Sequence, residues 1–597
     1  MSPNEILSAV ASASSSSSPS PPSPENLVSA LHHLSTKGVS LSDPRVAQLA
    51  SKISSAAATS LNARQISQTY GALGRLGLRS VPVLNALSQA ALPLASDFSP
   101  QGISTTFNAC ARMKHSDGPL LSALSLSAVP LLPSFNPLDL SSLLNALTRL
   151  SSVRGDSPYV ASPSFVSALC LAATLRAKDF SAQSLANAFN ALAHFGGDVA
   201  DREDTLLFKL CEASIPIADD FTPQGLSNVL HSLAKQRSRL MLEDSKAAKS
   251  KDGDAKQQLA MTLLFKICES SKRRINEFNA QELATTLNSL SRINPTTSID
   301  AVLCAQLCDR LAHRATDLKG YEISVLLSSL SYAGYYDVRL VTALCKVLLP
   351  AVPSLGEQAV ALALHSLSTY VHYDEALMTA LCGQARKLNF KTQGAANSLF
   401  ALAVFRDFKG SEADETFKHL IEGIRKTTPE TKWSKIEVMQ INLMKEAVKV
   451  DRPGIDVSLP PYLALLCKNG HDEERLRRSS KVSKLRMEVV STLHSMSVPY
   501  DVDAVVGGVA VDVLLLAGAR AGGPNRKTPT AIIVARRKHF LRDRMGITKK
   551  MDGLVTLKSR IVTGGGNFAV HVPYYQWEEL DTAMEREVYL RNKLFLV

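Results

Sequence analysis

Apolar residues return along most of this chain at a fixed rhythm. The stretch "FTPQGLSNVLHSLAKQ", Phe221 to Gln236, has close relatives starting at Phe98, Phe180, Phe278 and Phe390. Aligned on their first large apolar residue, the copies begin at Leu61, Phe98, Phe135, Phe180, Phe221, Phe278, Leu318, Leu355 and Phe390. Their spacing clusters at roughly 35 to 45 residues, the period of two-helix repeats. Ser99-Pro100, Asn136-Pro137 and Thr222-Pro223 follow the leading residue. A side chain that caps, followed by a proline with its pre-set φ, starts a helix there. Asn279 and Glu282 add the spacing of a capping box.

Inside each predicted helix three apolar columns fall at i, i+4 and i+7, one buried stripe. The first column includes Ile103, Leu140, Leu185, Leu226, Leu283 and Ile323, and the second Phe107, Leu144, Phe189, Leu230, Leu287 and Leu327. The position before the third column is small in every copy: Ala109, Ala146, Ala191, Ser232, Ser289, Ser329, Ser366 and Ala401. A second apolar segment in most copies, such as "YDVRLVTALCKVLLPAV", supplies a partner helix. Stacked pairs of this kind predict an α-solenoid of about nine to ten repeats over residues 24–450, with a charged insertion near 236–258 read as a loop. "PENLVSALHHLS" from Pro24 reads as a capping repeat, and the Ser/Pro tract of residues 1–23 as a disordered tail or a targeting segment.

A polar stripe with the same spacing lies about 200° around the helix from the apolar one. It contains Gln183, Asn187 and Asn190, then Gln224, Asn228 and His231, then Gln281 and Asn288. Such amides can read base edges one repeat at a time. They can equally bond between adjacent helices or face solvent, and the stripe as read carries almost no charge.

Composition changes this picture in three places. The 597 residues are 45% hydrophobic, yet no apolar run reaches the roughly 18 residues of a membrane span. Nine cysteines are scattered without a CxxC pair or a zinc set, as expected of reduced core thiols, and no metal or cofactor is expected. The net charge is +12, and from Arg526 to Arg560 eleven Lys/Arg stand against two Asp/Glu. A concentrated basic patch points to a polyanion, usually nucleic acid.

After residue 450 the rhythm stops. Residues 451–485 read as a charged linker helix region, and residues 486–597 alternate strand and helix. "GVAVDVLLLAG" and "TPTAIIVARRKHF" read as strands, "KKMDGLVTLKSRIVTGG" as a helix, and the remainder as strand, turn and final helix. The order "VAVDVLLL", "AIIVARRKHF", "TLKSR", "FAVHVPYYQWEEL" and "YLRNKL" resembles the RAP domain of organellar RNA-processing factors and the FAST kinase family. The array before it resembles heptatricopeptide and octotricopeptide repeats, so the pair implies a mostly α protein: an α-solenoid followed by a small α/β domain of restriction-endonuclease type. Asp512 matches one ligand position of such nucleases. The next strand has Ile533, Ala535 and Arg536 where family members often carry acidic residues. The resemblance therefore implies RNA binding with no catalytic residue.

The candidate contacts are Arg536, Arg537, Lys538, His539, Arg542, Arg544, Lys549, Lys550, Lys558 and Arg560, with Phe540, Tyr574, Tyr575 and Trp577 for base stacking. The expected role is a non-catalytic RNA-binding protein of the mitochondrion. Its partners would be RNA, expected to be rRNA, and ribosomal or other ribonucleoprotein proteins on the solenoid, with no membrane span and no small-molecule substrate. The leading form is a structural component of the mitochondrial ribosome. A trans-acting processing, stability or translation factor, a RAP endoribonuclease and a protein-binding scaffold are the alternatives.

Overall fold

The computed structural model describes residues 23–37, 43–152, 158–195, 200–237, 240, 251–293, 300–408, 410–480, 483–516, 529–543 and 546–595. They form two compact units, divided between Phe278 and Asn279, inside the run of repeats.

Unit 1 begins with α1 (Pro24–Thr36) and α2 (Pro44–Ser60). Four helix pairs follow: α3 (Ala63–Leu76) with α4 (Val81–Ala91), α5 (Pro100–Met113) with α6 (Gly118–Ala128), α7 (Pro137–Ser151) with α8 (Pro163–Arg176), and α9 (Ala182–Leu192) with α10 (Ala200–Ser214). The unit closes with α11 (Pro223–Lys235) and α12 (Lys251–Arg273). The first helices α3, α5, α7, α9 and α11 pack side by side, and the second helices cover them. The expected caps are present: Ser99, Asn136 and Thr222 accept from the backbone amides of Gly102, Asp139 and Gly225. Ile103, Phe107, Leu140, Leu144, Leu226 and Leu230 are fully buried. Each is a side chain whose burial contributes roughly 1.5–3 kcal/mol. Small residues bring the helices close: a Cβ added at Gly74 would lie 2.9 Å from the Ala109 backbone.

Two features differ from the sequence reading. The charged insertion is not all loop, because α12 starts at Lys251; residues 241–250 lie outside the described set. And 3-10 turns such as Leu92–Asp97, Val129–Ser134 and Ala218–Asp220 deliver the chain to the next leading residue. Phe98, Phe135 and Phe221 are buried where those turns end.

Unit 2 continues the pattern with α13 (Ala280–Ile293) and α14 (Ala301–His313), α15 (Gly320–Tyr332) and α16 (Val338–Ala351), α17 (Glu357–Tyr370) and α18 (Glu375–Ala385), and α19 (Thr392–Val404) and α20 (Ser411–Arg425). The capping box forms as expected, Asn279 and Glu282 exchanging bonds of 2.8 and 2.9 Å. Three further helices follow, α21 (Lys435–Asp451), α22 (Pro461–Ser480) and α23 (Lys484–Ser495).

The C-terminal module is a four-stranded sheet in the order β1-β4-β5-β8. Its strands are β1 (Tyr500–Val502), β4 (Val513–Leu515), β5 (Thr530–Ala535) and β8 (Phe568–Pro573), reached through the small hairpin of β2 (Val505–Val506) and β3 (Val509–Ala510). β5 and β8 run parallel and the other neighbours antiparallel. A second hairpin, β6 (Phe540–Asp543) with β7 (Gly546–Met551), follows β5. The helices are α24 (Gly553–Gly564), the single turn α25 (Tyr574–Trp577) and α26 (Ala583–Phe595). The segment "KKM" read as helical is therefore strand. The helix starts one residue after Asp552, whose carboxylate accepts from the Val555 amide at 2.9 Å.

α24 also abuts the repeats. A Cβ on Gly553 would lie 2.0 Å from the Ser368 carbonyl oxygen at the end of α17. Backbone cannot give way as a flexible side chain would, so Gly553→Ala should cost about 1–3 kcal/mol through overpacking. Thermal melting of the variant beside wild type measures this, and an unchanged melt would reject the contact.

Among the described residues no helix is long and apolar enough to cross a membrane. All nine cysteines are buried and none is in a disulfide. Burial pushes the Cys211 thiol up to about 12.

Candidate nucleic-acid interface

The candidate cations fall into two groups, separated by how β5, the β6–β7 hairpin and α24 sit against the repeats. Arg542, Lys550 and Arg560 turn inward. Arg542 is 7% exposed, and its Nη2 donates to the Ala333 carbonyl at 2.7 Å. Its own amide donates to Gly334 and its carbonyl accepts from Tyr336, so β6 pairs with the loop after α15. Lys550 Nζ donates to the Val371 carbonyl at 3.3 Å and lies 4.4 Å from the centre of the Tyr336 ring. Arg560 donates to the carbonyls of Ala403 and Val404 and forms an ion pair of 3.0 Å with the buried Asp451. Burial lowers the pKa of all three, although Asp451 offsets part of the effect at Arg560.

Those acceptors are the last carbonyls of α15, α17 and α19, or the residues just past them. Helix C-termini carry partial negative charge and orphan carbonyls, which cations satisfy. Three residues read as RNA contacts are thus the pins that hold the module to three successive repeats. The carbonyls they bond lie 156 to 209 residues away in sequence, so nothing local marks them.

The second group faces outward. Arg537, Lys538 and Lys549 are exposed, and Arg536, His539 and Lys558 half-buried. Arg536 and the single 3-10 turn of residues 537–539 follow the C-terminal end of β5, and the Arg536 amide donates to His539 Nδ1 at 3.2 Å. Arg537 lies over the Tyr574 ring at 5.1 Å and Lys549 over Tyr575 at 6.0 Å. Arg537 also approaches Glu578 at 3.4 Å. Burial raises the Asp552 carboxyl to about 6, and the charges of Lys558 and Lys538 are among the influences that pull it down. Arg544 lies outside the described residues.

The stacking set reduces to one residue. Phe540, Tyr574 and Trp577 are 3, 7 and 1% exposed. Trp577 sits in the module core, its Nε1 donating to Glu488 at 2.9 Å. Only Tyr575 is half-exposed, its ring 5.4 Å from Phe540 and 5.7 Å from Tyr574. The Tyr-Tyr-x-Trp run at the end of β8 thus buries two of its three aromatic rings, and Phe540 from β6 is buried against Tyr574.

Asp512 stands at the mouth of β4, where its Oδ2 accepts from the Val534 amide at 2.9 Å. This carboxylate ties β4 to β5. A small pocket beside it, about 40 Å³, is lined by Asp512, Ile533, Arg536, His539 and Lys558 among others. At roughly 10–15 Å³ for one water, that is room for about three waters. Among the described residues no three His, Cys, Asp or Glu side chains gather as metal ligands.

On the repeats, Gln183, Gln224 and Gln281 are exposed, while Asn187, Asn190, Asn228, His231 and Asn288 are half-buried between helices. Asn190 donates to Asn145 of the preceding repeat at 2.9 Å, and the rings of His194 and His231 lie 6.2 Å apart. The lower part of the stripe is thus a ladder between neighbouring first helices, and only its upper end is fully open.

Residues 52–203, about a quarter of the chain, match the family model described as RNA-editing substrate-binding complex 8 protein. No curated protein matches the sequence. Similar solved structures include a homology model of the full-length AP-3 complex in an intermediate open conformation, at 9% identity, with 81% of this chain and 91% of that chain covered and a TM-score of 0.30. Others are the karyopherin Kap121p bound to the extreme C-terminus of the phosphatase Cdc14p (13% identity, 78% and 56% covered, TM-score 0.20) and SYS-1 (13%, 80% and 76%, TM-score 0.17). Scores this low mark no common fold.

Proposed function

We propose that this protein is a non-catalytic, RNA-binding helical-repeat subunit of a mitochondrial ribonucleoprotein, its C-terminal module a RAP-type domain that grips the RNA backbone. The observation that carries the reading is the outward group of Arg536, Arg537, Lys538 and Lys549 around the end of β5. It replaces the acidic set a nuclease of this type would need, and Asp512 is already engaged by backbone. A cationic surface without metal ligands binds phosphate and leaves it intact. The match of residues 52–203 to an RNA-editing complex family supports an RNA-handling assembly. In its ribosomal form the subunit holds rRNA permanently. In its second form, which that match favours, it belongs to an editing or processing complex.

Changing Arg536, Arg537 and Lys538 together to Ala should weaken binding to a labelled single-stranded RNA. The slope of log affinity against log salt should flatten by about 2, at roughly 0.7 per lost phosphate contact. The same incubation with Mg²⁺ should leave the RNA uncut. An unchanged slope would reject the interface, and cleavage lost in Asp512→Ala would reject the non-catalytic reading.

A further inference from the structure

The small pocket beside Asp512 has a lining that a grip on the RNA backbone leaves unused. Val509, Val511, Ile533 and Val555 on its walls are buried. Onto these apolar walls three separate places in the module set a nitrogen donor. Arg536 follows the end of β5, His539 closes the 3-10 turn after it, and Lys558 stands on α24, one turn beyond Leu554. The Arg536 amide donates to His539 Nδ1 at 3.2 Å. The neutral imidazole therefore carries its proton on Nε2 and donates from that side.

Asp512 is the carboxylate of the lining. Its Oδ2 already accepts the Val534 amide at 2.9 Å, and the charges of Arg536 and Lys558 outnumber its own. All three donor residues are half-buried. Half-burying cations against apolar walls costs solvation, and a single carboxylate offsets only part of it. An anion inside the pocket offsets the rest. In that lower dielectric it is held more firmly than on open surface.

Size selects the anion. The pocket has room for about three waters. A terminal phosphate brings three free oxygens into such a space. An internal phosphodiester brings two, and its chain must leave on both sides. The terminal group also carries about −1.5 to −2 charge at pH 7, which suits a site with more cations than carboxylates.

We propose that this pocket takes the terminal phosphate of an RNA strand, with Arg536, His539 and Lys558 bonding its three oxygens. The proposal rests on the RNA-binding reading of the module and adds a preference for a phosphorylated end. The exposed Arg537 and Lys538 lie between Arg536 and His539 on the same turn, placed to meet the phosphates that follow. That placement favours a strand end over a mononucleotide, which has no further phosphate to offer them.

The test uses the full chain and one short RNA sequence, labelled internally, with a phosphate at its 5′ end, at its 3′ end or at neither. Wild type should bind a phosphate-ended form at least about tenfold tighter than the hydroxyl-ended one, the effect of one hydrogen bond to a charged group. Lys558→Gln should bring the ratio of those affinities close to one. Ala510→Val, which keeps every cation and takes up space in the pocket, should do the same. Partial unfolding lowers both affinities alike and leaves the ratio, so the readout does not follow folding. If wild type binds all three RNAs equally, the pocket is overturned while the module reading stands. If wild type binds none of them, both fall. A preference that survives in both variants also overturns the pocket, because open-surface charge would then be its source. If inorganic phosphate or adenosine monophosphate competes as strongly as phosphate-ended RNA, the ligand is a free phosphate compound and the proposal is overturned.

Discussion

Arg560→Ala should lower the stability of unit 2 by about 3–5 kcal/mol, the cost of removing one partner of a buried pair. Asp451 is 7% exposed at its side chain, and among the described residues the exposed Arg406, 3.7 Å away, would be its remaining ion-pair partner. The carbonyls of Ala403 and Val404 would lose their donor as well. Equilibrium denaturation of the full chain measures the loss. Adding Asp451→Ala should recover part of it, because the stranded carboxylate goes with its partner. An RNA contact behaves in the opposite way. If Arg560→Ala melted like wild type and instead flattened the RNA salt slope, the inward assignment would be wrong.

Trp577→Ala should cost about 3–5 kcal/mol, the usual range for truncating a fully buried tryptophan. The side chain packs with Val513, Ile532, Val572, Leu590 and Leu594 in the module core. Trp577→Phe refills most of that volume but removes the indole N–H that Glu488 accepts, leaving that carboxylate with Arg586 and Lys484 nearby. It should cost about 1–3 kcal/mol. Far-UV circular dichroism through a denaturant series reads both variants. A stacking residue would give the reverse pattern, with lower RNA affinity in Trp577→Ala and an unchanged melt.

The repeats were legible because their cause is local. Ile103, Phe107 and the columns below them are buried by a 3.6-residue period that the chain displays openly, and Ser99, Asn136 and Thr222 announce their helices by chemistry within three residues. The site was legible only as a composition. That the stretch from Arg536 to Arg560 is basic could be counted; which cations face water could not. Arg542, Lys550 and Arg560 are sorted inward by carbonyls far along the chain, and Arg536, Arg537 and Lys538 outward by a turn at the end of β5. The "KKM" strand was missed for the same reason, since β7 is held by pairing with β6 and not by its own propensity.

Pinning by Arg560 also has a consequence in time. Its acceptor, Val404, is made 156 residues earlier. At about 5–20 residues per second of synthesis, α19 waits roughly 8–30 s for the side chain that completes it. Through that interval the carbonyls at the ends of α15, α17 and α19 wait without the cations that later meet them, so the last repeats are completed only when nearly the whole chain has been made.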